Sequence, residues 1–264
     1  MTIVVDRAAS TQPASSRAAT GASGQPLASA SSTPAVDASA STGTNTATRG
    51  AEAGREALAT ATPPKNGWYV YTSPGGTTDT QIAVKPNGPG AWRISEAIAF
   101  RGGLIQTRAE QWTTSGVQTL SIWEAGQKQP CIWSNAPVDV AFPERAGSTW
   151  SVDATCRVVN GSAGTFVTHV HGSFRTTGRA SLTIAGQAAP AWIVVGTEVT
   201  TVDGTVNGHS YHTVDRTTTK VWFLPTVGLP GRTELKGTVA ITSSKGTAHH
   251  NVSQVTQLES LTPR

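Results

Sequence analysis

The sequence predicts an all-β protein whose single antiparallel sheet is highly curved and is preceded by a disordered tail. From Gly67 to Arg264 there are 30 Thr and 21 Val residues against 8 Leu, and β-branched side chains favour strands over helices. Apolar and polar residues alternate repeatedly in this region, and no window keeps the spacing of an amphipathic helix. All 16 aromatic residues also lie here, so this region has the large side chains that a core needs.

Residues 1–65 are predicted to form a disordered tether, and residues 66–264 form the predicted β-domain. Of the 55 residues from Ala8 to Thr62, 43 are Ala, Ser, Thr, Gly or Pro, and no aromatic residue precedes Trp68. Such a composition buries too little apolar surface to offset the entropy that is lost on ordering.

The first strands are predicted from segments in which one face is apolar. These segments are Ala91–Phe100, Thr149–Val158 and Thr165–Arg175. The apolar face of the first segment comprises Trp92, Ile94, Ile98 and Phe100, and that of the second comprises Trp150, Val152, Ala154, Cys156 and Val158.

The last third of the chain predicts long strands that are joined directly by hairpins. Turn signals such as Asp203-Gly204, Asn207-Gly208 and Ser243–Gly246 separate them. The predicted strands are Ala180–Ala185, Trp192–Val202, His209–Phe223, Arg232–Thr242 and Thr247–Leu258. Most are longer than the usual 3 to 10 residues, and long strands must twist and coil. We therefore expect a half-barrel or clam-like sheet and not a flat sandwich.

The two cysteines, Cys131 and Cys156, are expected to form one structural disulfide. Their separation of 25 residues excludes the spacing of CxxC redox and zinc motifs. Both stand in strand-like sequence, and closing this loop would stabilise the fold by about 3 to 3.5 kcal/mol. Two separate buried thiols are the alternative.

A disulfide requires an oxidising compartment, so we expect an extracytoplasmic, cell-envelope location. Met1–Val5 is too short for the apolar core of a signal peptide, and no run of 18 apolar residues predicts a membrane helix. Contact with a membrane is therefore expected only through a tether that is not present in this sequence. A cytosolic protein is the alternative.

Charge and motifs argue against several classes of function. From Asn66 onward 15 Lys and Arg residues face 12 Asp and Glu residues, a net charge of +3, so nucleic acid is not an expected partner. The G-x-S-x-G elbow, the phosphate-binding loop and the dinucleotide fingerprint are missing from the sequence. We expect no catalytic residue and no cofactor.

The histidines are expected to lie on the solvated face or rim of the sheet, without a bound metal. His169 and His171 form an H-x-H pair on one strand face, but the Glu that cupin-like barrels place three or four residues later is missing. The other pairs, His209 with His212 and His249 with His250, are spaced too loosely to specify a metal site.

Eight tryptophans are the most unusual feature of the predicted β-domain. A Trp side chain can line a groove for a sugar, lipid or peptide, because it combines a large area with a hydrogen-bond donor at one edge. It can also fill a core that is otherwise made of Val, Ala and Thr. The candidates for ligand binding on the concave face are Trp123, Trp150, Trp192 and Trp222.

Three blocks of sequence carry a family resemblance. Lys220–Arg232, Leu258–Pro263 and Gly67–Gly76 resemble an uncharacterised family of exported or membrane-tethered actinobacterial proteins rich in β-structure. This resemblance implies an envelope location and no particular activity. The strand-then-hairpin ending is more distantly similar to the clam-like half-barrel of lipoprotein carriers, which implies a curved sheet that holds an apolar ligand.

We expect a non-enzymatic cell-envelope protein that binds an apolar or amphipathic molecule, such as a lipid, on the concave face of the sheet. The long strands, the Trp excess and the missing catalytic motifs favour this function. One alternative is a hydrolase that acts on envelope glycan or lipid through carboxylates or histidines that form no recognised motif. The other is a structural or interaction module whose interior is filled by its own side chains.

Overall fold

The computed structural model describes residues 61–100, 103–125, 127–142, 145–159, 164–206 and 208–264. Within these ranges the chain forms β-strands and no helix. The strands are β1 Gly67–Ser73, β2 Gly76–Pro86, β3 Trp92–Phe100, β4 Gly103–Thr113, β5 Gly116–Glu124, β6 Cys131–Ile132, β7 Val138–Ala141, β8 Thr149–Val159, β9 Thr165–Ile184, β10 Gln187–Val206, β11 His209–Leu224, β12 Leu229–Ser243 and β13 Gly246–Leu258. Residues 1–60 of the predicted tether lie outside the described residues.

All of these strands belong to one antiparallel sheet that is nearly closed into a barrel. The order across the sheet is β6-β5-β4-β3-β2-β1-β13-β12-β11-β10-β9-β8, and the short strand β7 pairs with β5. Neighbours in the chain are thus neighbours in the sheet within two meanders, β1 to β6 and β8 to β13. The predicted all-β fold with a single, highly curved antiparallel sheet is confirmed.

The first connection between the two meanders is the pairing of β1 with β13. Tyr71 lies opposite Leu258, and the backbone N–H of Glu259 donates a hydrogen bond to the carbonyl of Val70 at 2.9 Å. The backbone N–H of Arg264 makes the same kind of bond along the same edge, to the carbonyl of Trp68. We call this connection the β1–β13 seam.

The second connection joins the outer strands of the sheet, β6 and β8, and contains the disulfide. Cys131 and Cys156 are bonded with their Cα atoms 5.5 Å apart, which confirms the predicted pairing. Trp133 forms a single bridge with Cys156. The backbone N–H and the hydroxyl of Ser134 both donate to the carbonyl of Thr155, at 2.8 and 2.9 Å. We call this connection the disulfide seam.

Alternate residues of each strand point into the barrel, where they form the hydrophobic core. Strand β8 shows the pattern clearly: Val152, Ala154 and Val158 are at most 4% exposed, whereas Ser151 and Asp153 between them are exposed. The alternation predicted for this segment is therefore present. We call the side of the sheet that carries the buried residues the interior face, and the opposite side the outer face.

Two of the long strands differ from the prediction. Residues 165–184 form one strand of 20 residues, where the sequence predicts a break between two strands. The register shifts beside Thr177, so a β-bulge absorbs one residue and the strand continues. The predicted turn at Asp203-Gly204 lies inside β10, because Gly204 is opposite Phe166 and a side chain at Gly204 would overlap that aromatic ring.

Residues 61–65, which the prediction assigns to the tether, pack on the turn between β11 and β12. The backbone N–H of Thr62 donates to the carbonyl of Pro225 at 2.9 Å. Gly228 has φ +77° and approaches the backbone of Pro63 and Pro64 so closely that a Cβ would clash. The folded part of the described chain therefore already includes the segment before Asn66.

Candidate functional site

The interior of the barrel has three zones along the strand direction, and the first is apolar and filled. Trp112, Phe142 and Phe223 pack together with ring centroids 5.2 to 6.2 Å apart. Leu224 and Leu258 are 0% and 1% exposed. This zone lies at the β11–β12 turn, and we call it the sealed end.

The second zone is a group of buried charges around Arg108, which we call the Arg108 cluster. Strand β4 places Arg108 and Glu110 on its interior face, and Glu96 of β3 lies opposite Arg108. The guanidinium is 3.0 Å from Glu110, 3.5 Å from Glu96 and 3.6 Å from Asp139 of β7. Thr119 of β5 accepts a hydrogen bond from Arg108 at 2.8 Å and donates one to Asp139 at 2.5 Å. Each charged side chain is at most 10% exposed.

The pKa values in the Arg108 cluster are shifted in different directions. Burial raises the pKa of Glu110 to about 8, and the charge of Glu96 raises it further while Arg108 opposes the shift. Burial also raises the pKa of Glu96. The pKa of Asp139 is lowered in spite of its burial, with Arg108 and the Thr119 hydroxyl among the groups that favour the charged form. The pKa values of Glu110 and Asp139 are therefore shifted in opposite directions within one cluster.

Two further carboxyl groups face the same interior from the long strands. Glu198 of β10 is opposite the buried Gly172, and Asp215 of β11 is 9% exposed. Burial raises the pKa of Glu198, and the negative charges of Asp139 and Asp215 add to this shift. The register thus places five carboxyl groups and one guanidinium on the interior face of the described residues.

Two buried polar side chains beside these carboxyl groups have oxygen atoms without a hydrogen-bond partner. Gln106 precedes Arg108 by one interior position on β4, is 2% exposed and has an unpartnered Oε1. Thr213 precedes Asp215 by one interior position on β11, is 3% exposed and has an unpartnered Oγ1. An unsatisfied buried polar group costs about 1 to 3 kcal/mol, so these oxygens mark the middle of the interior as a place that is not optimised for stability.

The third zone lies at the end of the long strands away from the β11–β12 turn, and we call it the rim. Its interior face carries the half-exposed apolar residues Phe166, Tyr211, Val239, Ile241 and Val252. The exposed His250 lies on the same face, opposite Val239. The rings of Phe166 and Tyr211 meet edge to face with centroids 6.3 Å apart. Val239 lies directly opposite Asp215, so the apolar rim borders the charged middle zone without a gap.

The structure places Trp123 and Trp150 on different faces of the sheet. Trp150 lies on the interior face, stacks on Phe174 with ring centroids 5.7 Å apart and donates from Nε1 to the carbonyl of Val138 at 3.0 Å. Trp123 is opposite Thr107, which is on the outer face because its neighbour Arg108 points inward. Its Nε1 donates to the backbone of the following loop at 2.7 Å.

The other two candidate tryptophans are covered by cationic side chains. The guanidinium of Arg179 lies 4.3 Å from the ring centroid of Trp192, which is 3% exposed. The ring of Trp222 has Lys220 at 4.5 Å and Arg232 at 5.4 Å. The four candidates therefore do not meet in one groove, although Trp150 and Trp222 both pack against the hydrophobic core.

The outer face carries a separate, open depression of about 610 Å³ across β8 to β11. Its lining is mostly exposed and rich in hydroxyl groups, and it includes Ser151, Ser173, Thr197, Thr218 and Arg175. Trp150, Phe174 and Gly196 of the interior face also line the depression, so it borders the interior core.

The histidines lie on exposed or half-exposed strand positions. His169 is 2.7 Å from Asp153, and His212 is 2.6 Å from Asp203. The ranges that the structure describes contain no group of three or more His, Cys, Asp and Glu side chains placed to hold a metal ion. In the same ranges, no helix has the length and apolar character needed to cross a membrane.

No protein-family model and no curated protein matches the sequence. The structure is similar to that of the hypothetical lipoprotein YmcC of Escherichia coli, with 10% identity, a TM-score of 0.34, and coverage of 75% of this chain and 86% of that chain. It is also similar to that of a presumed lipoprotein of Parabacteroides distasonis, with 11% identity, a TM-score of 0.44, and coverage of 75% and 95%. The chain thus has a distant structural resemblance to lipoproteins, which concerns the course of the backbone alone.

The sequence prediction missed the Arg108 cluster, although one signal for it was present. The apolar stripe Trp92, Ile94, Ile98 and Phe100 skips the position of Glu96, which lies on the same face of β3. A charged residue inside an apolar stripe is the sequence signature of a buried charge. Its partners could not be read from the sequence, because they come from three other strands.

Proposed function

We propose that the protein binds an apolar or amphipathic molecule, such as a lipid, inside the barrel without transforming it. The observation that carries this proposal is the change along the interior face from the filled sealed end, through the buried charges, to the half-exposed apolar rim. An amphipathic molecule matches this order when its polar group lies at the charges and its chain lies along the rim.

The number of strands supports a binding cavity. Eight strands enclose a space that side chains fill or that holds one small ligand, and the diameter of a barrel grows with the number of strands. The present sheet has twelve strands along its path and is nearly closed into a barrel. We therefore expect a wider interior than that of an eight-stranded barrel, and the charged middle zone and the rim are the parts that a ligand would occupy.

The Arg108 cluster supports a functional interior, because buried ion pairs contribute little to stability. Replacing such a group with well-packed apolar residues is often neutral or stabilising. Strongly shifted pKa values also concentrate at functional sites. A polar headgroup that contacts Glu110 and its neighbours would give this cluster a role that packing alone does not require.

The disulfide supports a location in an oxidising compartment outside the cytoplasm. Disulfides persist in extracytoplasmic spaces and are rare in the cytosol. We therefore propose that binding takes place in the cell envelope, where apolar molecules must be carried through or held in an aqueous space.

Titration with the neutral fluorescent probe N-phenyl-1-naphthylamine tests the proposal. We expect a dissociation constant in the micromolar range, or roughly −8 kcal/mol. Phe166→Ala removes a ring from the rim and should weaken binding by about tenfold, or about 1.4 kcal/mol. Val167→Ala is the matched control, because Val167 is the next residue and points to the outer face.

Failure of the parent protein to bind the probe would reject the proposal and favour a structural module. Equal weakening by both variants would also count against an interior site. Binding that is weakened about tenfold by Phe166→Ala and unchanged by Val167→Ala supports the proposal.

A second candidate function is hydrolysis, and the opposite pKa shifts of Glu110 and Asp139 favour it specifically. A neutral and an ionised carboxyl group in one site are the components of general acid–base catalysis. The protein would then release the chromophore from a long-chain p-nitrophenyl ester or from an aryl glycoside. Glu110→Gln should abolish such release, whereas the binding function alone predicts no turnover in either protein.

A further inference from the structure

We propose that the depression on the outer face is a second binding site, and that its ligand is an acidic oligosaccharide. The depression has a volume of about 610 Å³ and crosses β8, β9, β10 and β11. This inference is independent of binding inside the barrel, because the side chains that would contact the ligand lie on the outer face.

The floor of the depression is a row of four hydroxyl groups, one from each of these strands. Ser151 lies opposite Ser173, and Thr197 lies opposite both Ser173 and Thr218. All four residues line the depression and are exposed. Within the described residues, no hydrogen bond to another protein group occupies their hydroxyls. The row therefore offers both donors and acceptors to a ligand.

Cationic side chains border this floor on two sides. Arg175 of β9 is part of the lining. Lys220 lies opposite the lining residue Val195, and Lys236 of β12 lies opposite Thr218. Neighbouring strands are about 4.8 Å apart, so β9 and β12 are separated by about 14 Å across the sheet. One small anion cannot contact cations that are this far apart, whereas a chain that carries repeated acid groups can.

Arg175 is available to such a chain. Of the described carboxylates, Asp153 and Glu234 are the nearest to the depression in the register, and both lie outside its lining. Glu234 pairs with Arg232 at 2.7 Å, and Asp153 contacts His169 at 2.7 Å. Arg175 is exposed and forms no ion pair within the described residues. An acid group beside it would therefore gain a charge-assisted hydrogen bond.

The aromatic residues of the lining favour a saccharide over a nucleic acid or a membrane. Trp150 and Phe174 stack on each other with ring centroids 5.7 Å apart, and Phe174 is 6% exposed. Bases bind to exposed rings on which they can stack, and insertion into a membrane surface requires exposed apolar side chains. Sugar hydroxyls instead form hydrogen bonds in both directions with Ser and Thr. The lining thus matches a chain of sugars with acid groups.

Isothermal titration calorimetry of the full chain at pH 7 tests the inference with two acidic ligands, hexagalacturonate and a heparin hexasaccharide. Maltohexaose carries the hydroxyl groups without the charge, hexapolyphosphate carries the charge without the sugars, and hexathymidylate represents a nucleic acid. We expect at least one acidic oligosaccharide to bind at least tenfold more tightly than each of these three controls. The tighter of the two identifies the acid group as a carboxylate or a sulfate.

Arg175→Gln should weaken the binding of that oligosaccharide about tenfold, because it removes the charge from the lining. Arg93→Gln is the matched control, since it makes the same change at an exposed position of β3 in the other meander, and it should leave binding unchanged. Ser173→Ala removes one hydroxyl from the floor and should weaken binding about threefold. Ser181→Ala changes an exposed residue of the same strand outside the lining and should have no effect.

Several results would overturn the inference. Maltohexaose or hexapolyphosphate binding as tightly as the acidic oligosaccharides would show that sugar and charge are not recognised together. Equal weakening by Arg175→Gln and Arg93→Gln would indicate attraction to the overall charge of the protein. Tighter binding of hexathymidylate would indicate a nucleic-acid surface, and failure of both acidic oligosaccharides to bind would exclude the site. None of these results bears on the fluorescent probe, so binding inside the barrel is tested separately.

Discussion

Arg108 is the residue on which the charged interior depends, because it faces three carboxyl groups and is itself about 10% exposed. Arg108→Met leaves those groups without their cation and should lower the free energy of unfolding by about 3 to 5 kcal/mol. Urea denaturation monitored by Trp fluorescence measures the loss. Arg216→Met is the control, because Arg216 is an exposed residue of β11, and should change stability by about 0.5 kcal/mol or less. Similar losses in both variants would contradict a special role for the cluster.

Glu110 should make the protein less stable as the pH rises. Its pKa is about 8 in the folded state against an ordinary value of 4.5, so the folded state binds more protons between these pH values. The free energy of unfolding should therefore fall from about pH 5 to pH 8, with a slope of at most about 1.4 kcal/mol per pH unit from this group.

Urea titrations at pH 5, 6, 7, 8 and 9 measure this slope for the parent and for Glu110→Gln. The groups that face Glu110 are Glu96 from β3, Asp139 from β7, Tyr71 from β1 and Arg108 on its own strand. The variant should lose most of the decline above pH 6. An unchanged slope would mean that Glu110 is ionised throughout.

Gly196 illustrates how a single missing side chain shapes the interior. A Cβ there would overlap the ring of Phe174, the ring that stacks on Trp150. Gly196→Ala should therefore cost about 1 to 3 kcal/mol, as overpacking of a core does. Gly178→Ala is the control, since its Cβ would meet nothing within 4 Å, and it should be neutral or slightly stabilising. Thermal unfolding followed by circular dichroism compares the two, and equal shifts would contradict this packing.

Much of the sheet could be predicted at the residue scale, but the site could not. Alternation identified the interior face of β8 because neighbouring residues differ sharply in polarity. Trp123 and Trp222 were candidates because large aromatic residues suggest a groove, yet polarity along one strand does not say which side of a closed sheet a Trp occupies. The Arg108 cluster depends on contacts between β3, β4, β5 and β7, and no local pattern encodes such contacts.

At the scale of the elements, the disulfide seam is the place where the sheet depends most on a covalent bond. The residues that follow β6 share one bridge with β8, between Trp133 and Cys156, and donate a few hydrogen bonds to it from Ser134 and Asn135. Replacing Cys131 and Cys156 with Ser should lower the free energy of unfolding by about 3 to 3.5 kcal/mol, as expected for a closed loop of 25 residues.

Urea denaturation of the double variant, beside the parent with and without dithiothreitol, measures this loss. The reduced parent should match the variant, which serves as the control for the effect of the Ser side chains. A variant as stable as the oxidised parent would show that the hydrogen bonds alone hold the seam.

The lengths of the long strands were predicted less well than their existence. Gly178 lies in the predicted break between two strands and Gly204 in a predicted turn, because sequence rules associate glycine with interruptions of a strand. In the structure one follows a β-bulge and the other makes room for Phe166. These roles arise from the neighbouring strands, so the sequence of one segment does not distinguish them from a reversal of the chain.

At the scale of the whole molecule, the curved sheet was predictable and its near closure was not. Strand length and composition imply strong coiling, which led to the expected half-barrel. Closure depends on two narrow seams between residues that are distant in sequence, such as Tyr71 and Leu258. Only the three-dimensional path of the two meanders brings these strand edges together.

The β1–β13 seam has a consequence for how the protein is made. Thr72 and its partner Gln257 are separated by 185 residues. One edge of β1 therefore has no partner strand until nearly all of the barrel has been synthesised. Open edges of β-strands readily pair with other chains and promote aggregation. The nascent chain therefore needs shielding from its neighbours until β13 emerges, and any truncation that removes β13 would leave two open meanders.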